Sequence, residues 1–68
     1  MSVVKVIEIH AQSDKSWEDA TAKALAAAAR TVRNIRSLYV SEFQAMVENN
    51  AITAYRVNCK ISFVIEGT

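Results

Sequence analysis

The sequence predicts an α+β fold with the order β-α-β-β, in which a three-stranded antiparallel sheet wraps around a single helix. Three observations support this: a short β-branched segment near the amino terminus, an alanine-rich helical segment, and two longer segments in which apolar residues alternate. The chain has no proline, no internal repeat and no linker-like segment. Residues 1–68 are therefore expected to form one domain.

The first strand is predicted over Val3–Ile9, where five of the seven residues are valine or isoleucine. The polar residues 11–16 are expected to form a loop that ends this strand. A helix then follows an N-cap at Ser13 or Ser16, because serine side chains accept hydrogen bonds from the first helical N–H groups. Its alanine-rich composition predicts that it continues to about Arg33.

Two faces can be distinguished on this helix. The face expected to pack on the sheet has small and apolar residues at spacings of three and four: Trp17, Ala20, Ala24, Ala28, Thr31 and Ile35, with Leu25 and Val32 beside them. The opposite face contains Asp19, Lys23, Ala26, Arg30 and Arg33, and Asp19 and Lys23 are spaced for an ion pair. Because the sheet-facing residues are mostly alanine, the helix can lie close to the strands.

The helix is expected to end near Asn34, since asparagine tolerates the left-handed conformation used at helix ends. A second strand is predicted over Ile35–Val47. Its apolar residues fall on both parities, which indicates a strand buried on both faces or interrupted by a β-bulge. A hairpin turn at residues 48–50 then leads into a third strand, predicted over Ala54–Glu66.

The third strand is long for so small a chain. Its apolar residues occupy alternate positions: Tyr55, Val57, Cys59, Ile61, Phe63 and Ile65. At about 3.3 Å per residue a straight strand of this length spans roughly 40 Å. A compact domain of this size has a radius of gyration of about 11 Å. The strand is therefore expected either to curl around the helix or to extend into a neighbouring subunit, and both alternatives favour an assembling protein.

Composition excludes several function classes. The net charge of +1 provides no electrostatic case for a nucleic-acid or membrane partner, and the short basic strip at Arg30, Arg33 and Arg36 lacks the aromatic neighbours that nucleic-acid sites use. No apolar run is long enough to span a membrane. One cysteine cannot form an internal disulfide, so subunit contacts are the expected source of extra stability. We expect a soluble, cytoplasmic protein.

Few residues suggest chemistry. His10 has no nucleophile or carboxylate at motif spacing, which favours a surface or interface histidine over a catalytic one. Cys59 lies on the apolar side of the third strand, where a thiol packs as a small hydrophobic group. Asp14, Glu18 and Asp19 could supply oxygen ligands to a hard cation if several copies met, although acids at a helix start also complement the helix dipole. The sequence therefore predicts no enzyme.

Four segments taken together resemble the dodecin family: residues 4–9, 13–20, 31–35 and 55–63, in register over nearly the whole chain. The resemblance implies a subunit whose sheet wraps its helix, with twelve such subunits forming a hollow shell. It also implies a protein that is not an enzyme, and that binds flavins such as riboflavin or FMN, or coenzyme A, for storage or buffering. A homododecamer is thus the expected partner arrangement.

The positions that match the family's flavin site are substituted. Where flavin-binding dodecins have a stacking tryptophan this chain has Ser37, and where they have a glutamine it has Arg56. Tyr39 lies two residues after Ser37 and is either an alternative stacking platform or an interface residue. The pair Tyr55-Arg56 resembles a non-flavin branch of the family that is associated with calcium. Flavin binding is therefore doubtful, calcium is an alternative ligand, and no metal ligands are assigned.

Overall fold

The computed structural model describes residues 3–66 and has the predicted element order. The elements are β1 at Val3–Ser13, α1 at Trp17–Ala29, β2 at Ile35–Glu48 and β3 at Ala51–Glu66. Both strand pairings are antiparallel and the strand order is β1-β3-β2, so the longest strand lies in the centre. The predicted α+β fold class is confirmed.

β1 is longer than the sequence predicted. The prediction of a loop over residues 11–16 is wrong for residues 11–13. Residues 11–13 continue the strand and pair with residues 55–57 of β3. Their polar composition suggested a loop, but the backbone pairing offered by β3 outweighs that local preference. His10 consequently lies inside the strand and not at its end.

The helix is shorter than predicted. Ser16 is the N-cap, and its Oγ accepts a hydrogen bond from the backbone N–H of Asp19 at 2.9 Å. The helix ends at Ala29 and not near Arg33. Thr31 and Val32 follow the helix end, and these β-branched residues lose side-chain freedom in a helix. Asn34 has a φ of 62°, which confirms its expected left-handed conformation before β2.

The core lies between one helix face and the middle of β3. Three alanines spaced four residues apart, Ala20, Ala24 and Ala28, are buried as predicted. On β3 the fully buried side chains are Val57, Cys59 and Ile61, each 0% exposed. Other predicted sheet-facing residues fall outside this core: Leu25 is 42% exposed and Thr31 is exposed because it follows the helix end.

A β-bulge explains why the apolar residues of β2 fall on both parities. Val40 pairs with Cys59, and the register shifts between Val40 and Glu42. After this extra residue Phe43 pairs with Val57. Directly paired residues share a face of the sheet, so Val40 and Phe43 both face the helix despite their odd spacing. Of the two alternatives left open by the sequence, the bulge is confirmed.

The subunit is elongated. Its principal extents are 52 × 19 × 13 Å and its radius of gyration is 14.0 Å. A straight strand as long as β3 would span roughly 53 Å at 3.3 Å per residue, so the dimensions favour extension over tight curling. Beyond the last β1 pair, the ends of β2 and β3 form a two-stranded ribbon closed by Asn49 and Asn50, both at positive φ.

Candidate functional site

The sheet has one face toward the helix and one away from it, which we call the outer face. Near the start of β1 the strand register places Val4 and Val6 on the outer face, opposite Val64 and Ser62. The register also places there eleven residues toward the middle of the sheet: Glu8, His10 and Gln12 of β1, Arg56, Asn58, Lys60 and Ser62 of β3, and Ser37, Tyr39, Glu42 and Gln44 of β2. Apart from Tyr39 these side chains are polar. The outer face therefore offers many hydrogen-bonding groups in fixed cross-strand rows.

The three residues predicted as flavin-site equivalents all lie on this outer face. Ser37 pairs with Ser62, and their hydroxyl groups form a hydrogen bond at 2.5 Å. Tyr39 is the next residue of β2 on the same face and is 65% exposed. Arg56 lies toward the other end of β3. The three side chains therefore share one face of the sheet.

Within one copy these residues do not meet. Ser37 lies opposite Ser62, which is six residues from Arg56 along β3, and six strand residues span about 20 Å. No single ring system bridges that distance. A site that uses both Ser37 and Arg56 must therefore be completed by a second copy of the chain.

Arg56 is held in place by a neighbouring strand. Its Nε and Nη2 groups both donate to Oε1 of Gln12, at 3.1 and 2.8 Å. The sequence prediction missed Gln12 because it assigned that residue to a loop. Two of the five guanidinium N–H groups are engaged in this way, so the remaining donors of Arg56 are available to a ligand.

A cavity of about 180 Å³ opens on the outer face beside Arg56. It is lined by His10, Glu42, Gln44, Arg56, Val57 and Asn58. The Asn58 Nδ2 group donates to Glu42 Oε1 at 3.5 Å, whereas Asn58 Oδ1 is buried without a hydrogen-bond partner. Since a cavity of about 150 Å³ accommodates a molecule the size of benzene, this one fits a small polar molecule or one edge of a larger ring.

The sequence prediction did not single out Glu42, Gln44 or Asn58. A signal was present for Asn58, because the residues that alternate with the buried positions of β3 are nearly all polar. No comparable signal existed for Glu42, since the bulge before it reverses the parity of β2. These side chains meet around the cavity because of the pairing register between β2 and β3.

The acidic residues at the helix start do not form a metal site within one copy. Asp19 accepts a hydrogen bond from the Ser13 hydroxyl and lies 3.4 Å from Lys23 Nζ, which confirms the predicted ion pair. Asp14 and Glu18 are exposed. Among the side chains that the structure describes, those of residues 3–65, no three His, Cys, Asp or Glu groups lie together so as to hold a metal ion. These residues therefore do not fit a calcium site without further copies.

Asp19 is expected to stabilise the fold at neutral pH and to lose this contribution in acid. The Ser13 hydroxyl, and after it Lys23, hold the pKa of Asp19 below its usual value despite partial desolvation. A lowered folded-state pKa means that the carboxylate stabilises the fold above its unfolded-state pKa of about 3.9, and that this contribution is lost as pH falls through the folded pKa. The stability difference between wild type and Asp19→Asn should therefore shrink below about pH 4.

Urea unfolding from pH 7 to pH 2 measures this difference. Ser13→Ala serves as the matched variant, because it removes the donor and leaves the carboxylate in place. Its deficit relative to wild type should shrink over the same range. Parallel stability curves for wild type and Asp19→Asn down to pH 2 would contradict the assignment.

Cys59 takes no part in the outer face. Its side chain is buried against Ala20, Ala24 and Val57, and burial raises the pKa of the thiol. A thiol whose ionisation is suppressed in this way is a poor nucleophile, so core packing accounts for this residue, as predicted.

Among the described residues, no helix is both long enough and apolar enough to cross a membrane.

The fold and the outer face together define a class of protein: a small β-α-β-β subunit whose open antiparallel sheet covers one helix and exposes a polar face. This is the architecture of dodecins, and the chain belongs to the dodecin family, whose family model, described as Dodecin, matches residues 3–66. The family resemblance noted in the sequence is thereby confirmed.

Individual relatives agree with this assignment. Calcium dodecin from Mycobacterium tuberculosis is 40% identical over 63 residues, which are 93% of this chain and 89% of that protein. Its crystal structure, described as that of a calcium chelating immunodominant antigen, superposes with a TM-score of 0.84 at 36% identity, over 98% of this chain and 96% of that one. A protein from Thermus thermophilus superposes with a TM-score of 0.91 at 28% identity over the whole of both chains.

Proposed function

We propose that the protein assembles into a hollow, dodecin-type shell of twelve copies that binds and stores a small molecule and catalyses no reaction. The observation that carries this proposal is the family match over nearly the whole chain, together with a ligand face that one copy cannot complete. The outer face of each subunit would then line a site shared between copies, with Ser37 from one end of a subunit approaching Arg56 from the other end of its neighbour.

Exposed apolar side chains support assembly. Tyr39, Phe43 and Val47 are each more than 60% exposed, and Ile52 on the ribbon is 54% exposed. A small soluble monomer rarely exposes this many large apolar residues, whereas interfaces are built from them. Contacts between copies would also supply the stability that a single core of this size lacks.

The flavin site of this shell is degenerate in our proposal. Ser37 has no π-face, and its hydroxyl is already paired with that of Ser62. Arg56 offers only donors and is bound to Gln12, so it cannot replace both functions of a glutamine amide. Tyr39 is the one aromatic residue of the outer face in reach of Ser37's end of the sheet. A ligand smaller or more polar than a flavin fits the cavity better.

The proposal is tested by two measurements on the purified protein. Light scattering should give about twelve times the subunit mass of 7.5 kDa, and a monomer would contradict the shell. Fluorescence titration with riboflavin and FMN should show binding weaker than micromolar. Submicromolar quenching would contradict the degenerate flavin site while leaving the shell intact.

A calcium-binding shell is the second candidate function, favoured by the 40% identity to calcium dodecin. The exposed carboxylates of Asp14 and Glu18 near the helix start are groups that contact between copies could bring together. Calcium prefers six to eight oxygen ligands, so one copy would contribute only part of the site.

Removal of calcium tests this candidate. If calcium binds the shell, an excess of about a hundredfold over the dissociation constant should stabilise it by roughly 2.7 kcal/mol, and chelation should lower the melting temperature. The double variant Asp14→Asn, Glu18→Gln should melt at the same temperature with and without chelator. A wild-type melting temperature that chelation leaves unchanged, with no calcium found by metal analysis, would exclude this candidate.

A further inference from the structure

On the helix face, α1 and the edge strand β2 are separated by a cleft with one cavity at each end. The cavity near the start of the helix has a volume of about 430 Å³ and is lined by Trp17, Glu18, Thr21, Val40 and Phe43. The cavity near the end of the helix has a volume of about 410 Å³, and its lining includes Leu25, Ile35, Arg36 and Leu38. The cleft lies on the face opposite Tyr39 and Arg56, whereas Ser37 at the edge of β2 borders its second cavity.

The first cavity combines aromatic surface with a negative charge. Trp17 and Phe43 are in edge-to-face contact, with ring centroids 6.0 Å apart, and Phe43 is 62% exposed. Trp17 is fixed by a hydrogen bond from its Nε1 to the backbone oxygen of Gln44 at 3.0 Å and by the ring of Tyr55. The exposed carboxylate of Glu18 lies beside these rings. An arginine guanidinium suits such a pocket, since it stacks on aromatic rings and pairs with carboxylates.

The second cavity has the complementary character. Arg36 is exposed at its rim, and the ion pairs among the described side chains of residues 3–65 join only Lys23 to Asp19 and His10 to Glu8. Arg36 is therefore a cation without an ionic partner in the described part of its own chain. The other residues that line this cavity are aliphatic except Ser37.

One copy cannot bring the two ends together. Glu18 lies in the first turn of α1, whereas Arg36 lines a cavity with Leu25 and Ala29, which are seven and eleven residues further along the helix. At 1.5 Å per residue these positions lie about 10 to 17 Å along the helix from Glu18. An arginine side chain does not reach across that distance. The complementary charges can meet only if a second copy packs head to tail along the cleft.

We propose that Arg36 of one copy inserts into the pocket formed by Trp17, Phe43 and Glu18 of the next copy. This contact joins two different surfaces, so repetition around an axis can close a ring of subunits. The inference rests on the proposed shell and names one of the contacts that would build it. Charge complementarity between the two ends of the cleft, and the exposed aromatic surface of Phe43, are the observations that identify a second copy as the occupant.

Charge reversal tests the contact. Glu18→Arg and Arg36→Glu should each raise the protein concentration at half-assembly by about tenfold or more, because each places like charges together. The double variant Glu18→Arg, Arg36→Glu should recover most of this loss. Glu18→Arg also places a positive charge at the start of the helix, where it opposes the helix dipole. The double variant contains the same unfavourable charge, so recovery of assembly in the double variant would report the contact between copies. Arg30→Glu makes the same charge change outside the cleft and should assemble as wild type.

Sedimentation over a dilution series measures assembly, and far-UV circular dichroism confirms that each variant is folded. Trp17 is the only tryptophan, so its emission should shift to longer wavelength on dissociation. Wild-type assembly in both single variants, or a double variant no better than the singles, would overturn the inference. A monomeric wild type would overturn the proposed shell as well. A ring smaller than twelve copies that responds to the reversals would support the contact and contradict the dodecamer.

Discussion

Replacement of Ile61 with alanine should lower the free energy of unfolding by about 2–5 kcal/mol. Ile61 is 0% exposed at the centre of β3, where it pairs with Ile7 on one side and Leu38 on the other. Removal of three carbon atoms there leaves a cavity that the stiff central strand cannot close. Since small domains are only marginally stable, such a loss should leave much of the isolated subunit unfolded.

Urea unfolding with circular dichroism at several protein concentrations measures this effect. Ile65→Ala is the matched control, because Ile65 lies on the same strand and is 57% exposed within one copy. Ile65→Ala should lower the free energy of unfolding by less than about 1 kcal/mol. If another copy covers Ile65, this decrease should grow with protein concentration. A loss for Ile61→Ala no larger than that for Ile65→Ala would contradict the assigned core.

Replacement of Ser37 with tryptophan should strengthen flavin binding about ten- to hundredfold, which corresponds to roughly 1–3 kcal/mol of stacking. Ser37 is exposed on an edge strand, next to Ser62 of the outer face. A large ring therefore enters solvent or the space between copies and does not disturb the core. Adding Arg56→Gln should strengthen binding further, because the amide restores an acceptor to the ring edge.

Riboflavin fluorescence quenching across the variants tests this prediction. Ser41→Trp places a tryptophan at another exposed serine of β2, inside the bulge, and controls for nonspecific stacking. It should leave affinity within about threefold of wild type. If Ser37→Trp remains as weak as wild type, Ser37 does not lie at a flavin position and the transfer from flavin-binding relatives fails.

The two faces of the sheet differ in what they contact. The helix face provides the core and, at the cleft beside β2, a contact for another copy. The outer face provides the polar rows and the small cavity near Arg56. Because side chains alternate between faces, a substitution on one face can change ligand binding without changing the core, and the predictions for Ile61 and Ser37 use this separation.

Local patterns predicted the element order well. The alternation of β3 identified its three fully buried residues, and the alanine spacing identified the buried helix face. Asn34 and the asparagines of the hairpin were expected at turns because their side chains tolerate positive φ, which they have. These successes rest on properties of neighbouring residues that need no tertiary context.

The errors arose where distant residues decide the structure. Residues 11–13 have a loop-like composition but join the sheet because β3 is long enough to pair with them. The bulge in β2 made Glu42 and Gln44 face outward, beside Asn58 and Arg56. Without the register no reading of the sequence could have placed these four residues around one cavity.

The sequence alone determined the class of fold, the buried faces of α1 and β3 and the family, because hydrophobic periodicity and residue order are local properties of the chain. Tertiary structure alone decided the extension of β1, the row of polar groups near Arg56 and the separation of Ser37 from Arg56 by about 20 Å. The physical reason is that cross-strand neighbours are set by register. A single bulge or a few added pairs changes which side chains meet, although the residues along each strand stay the same.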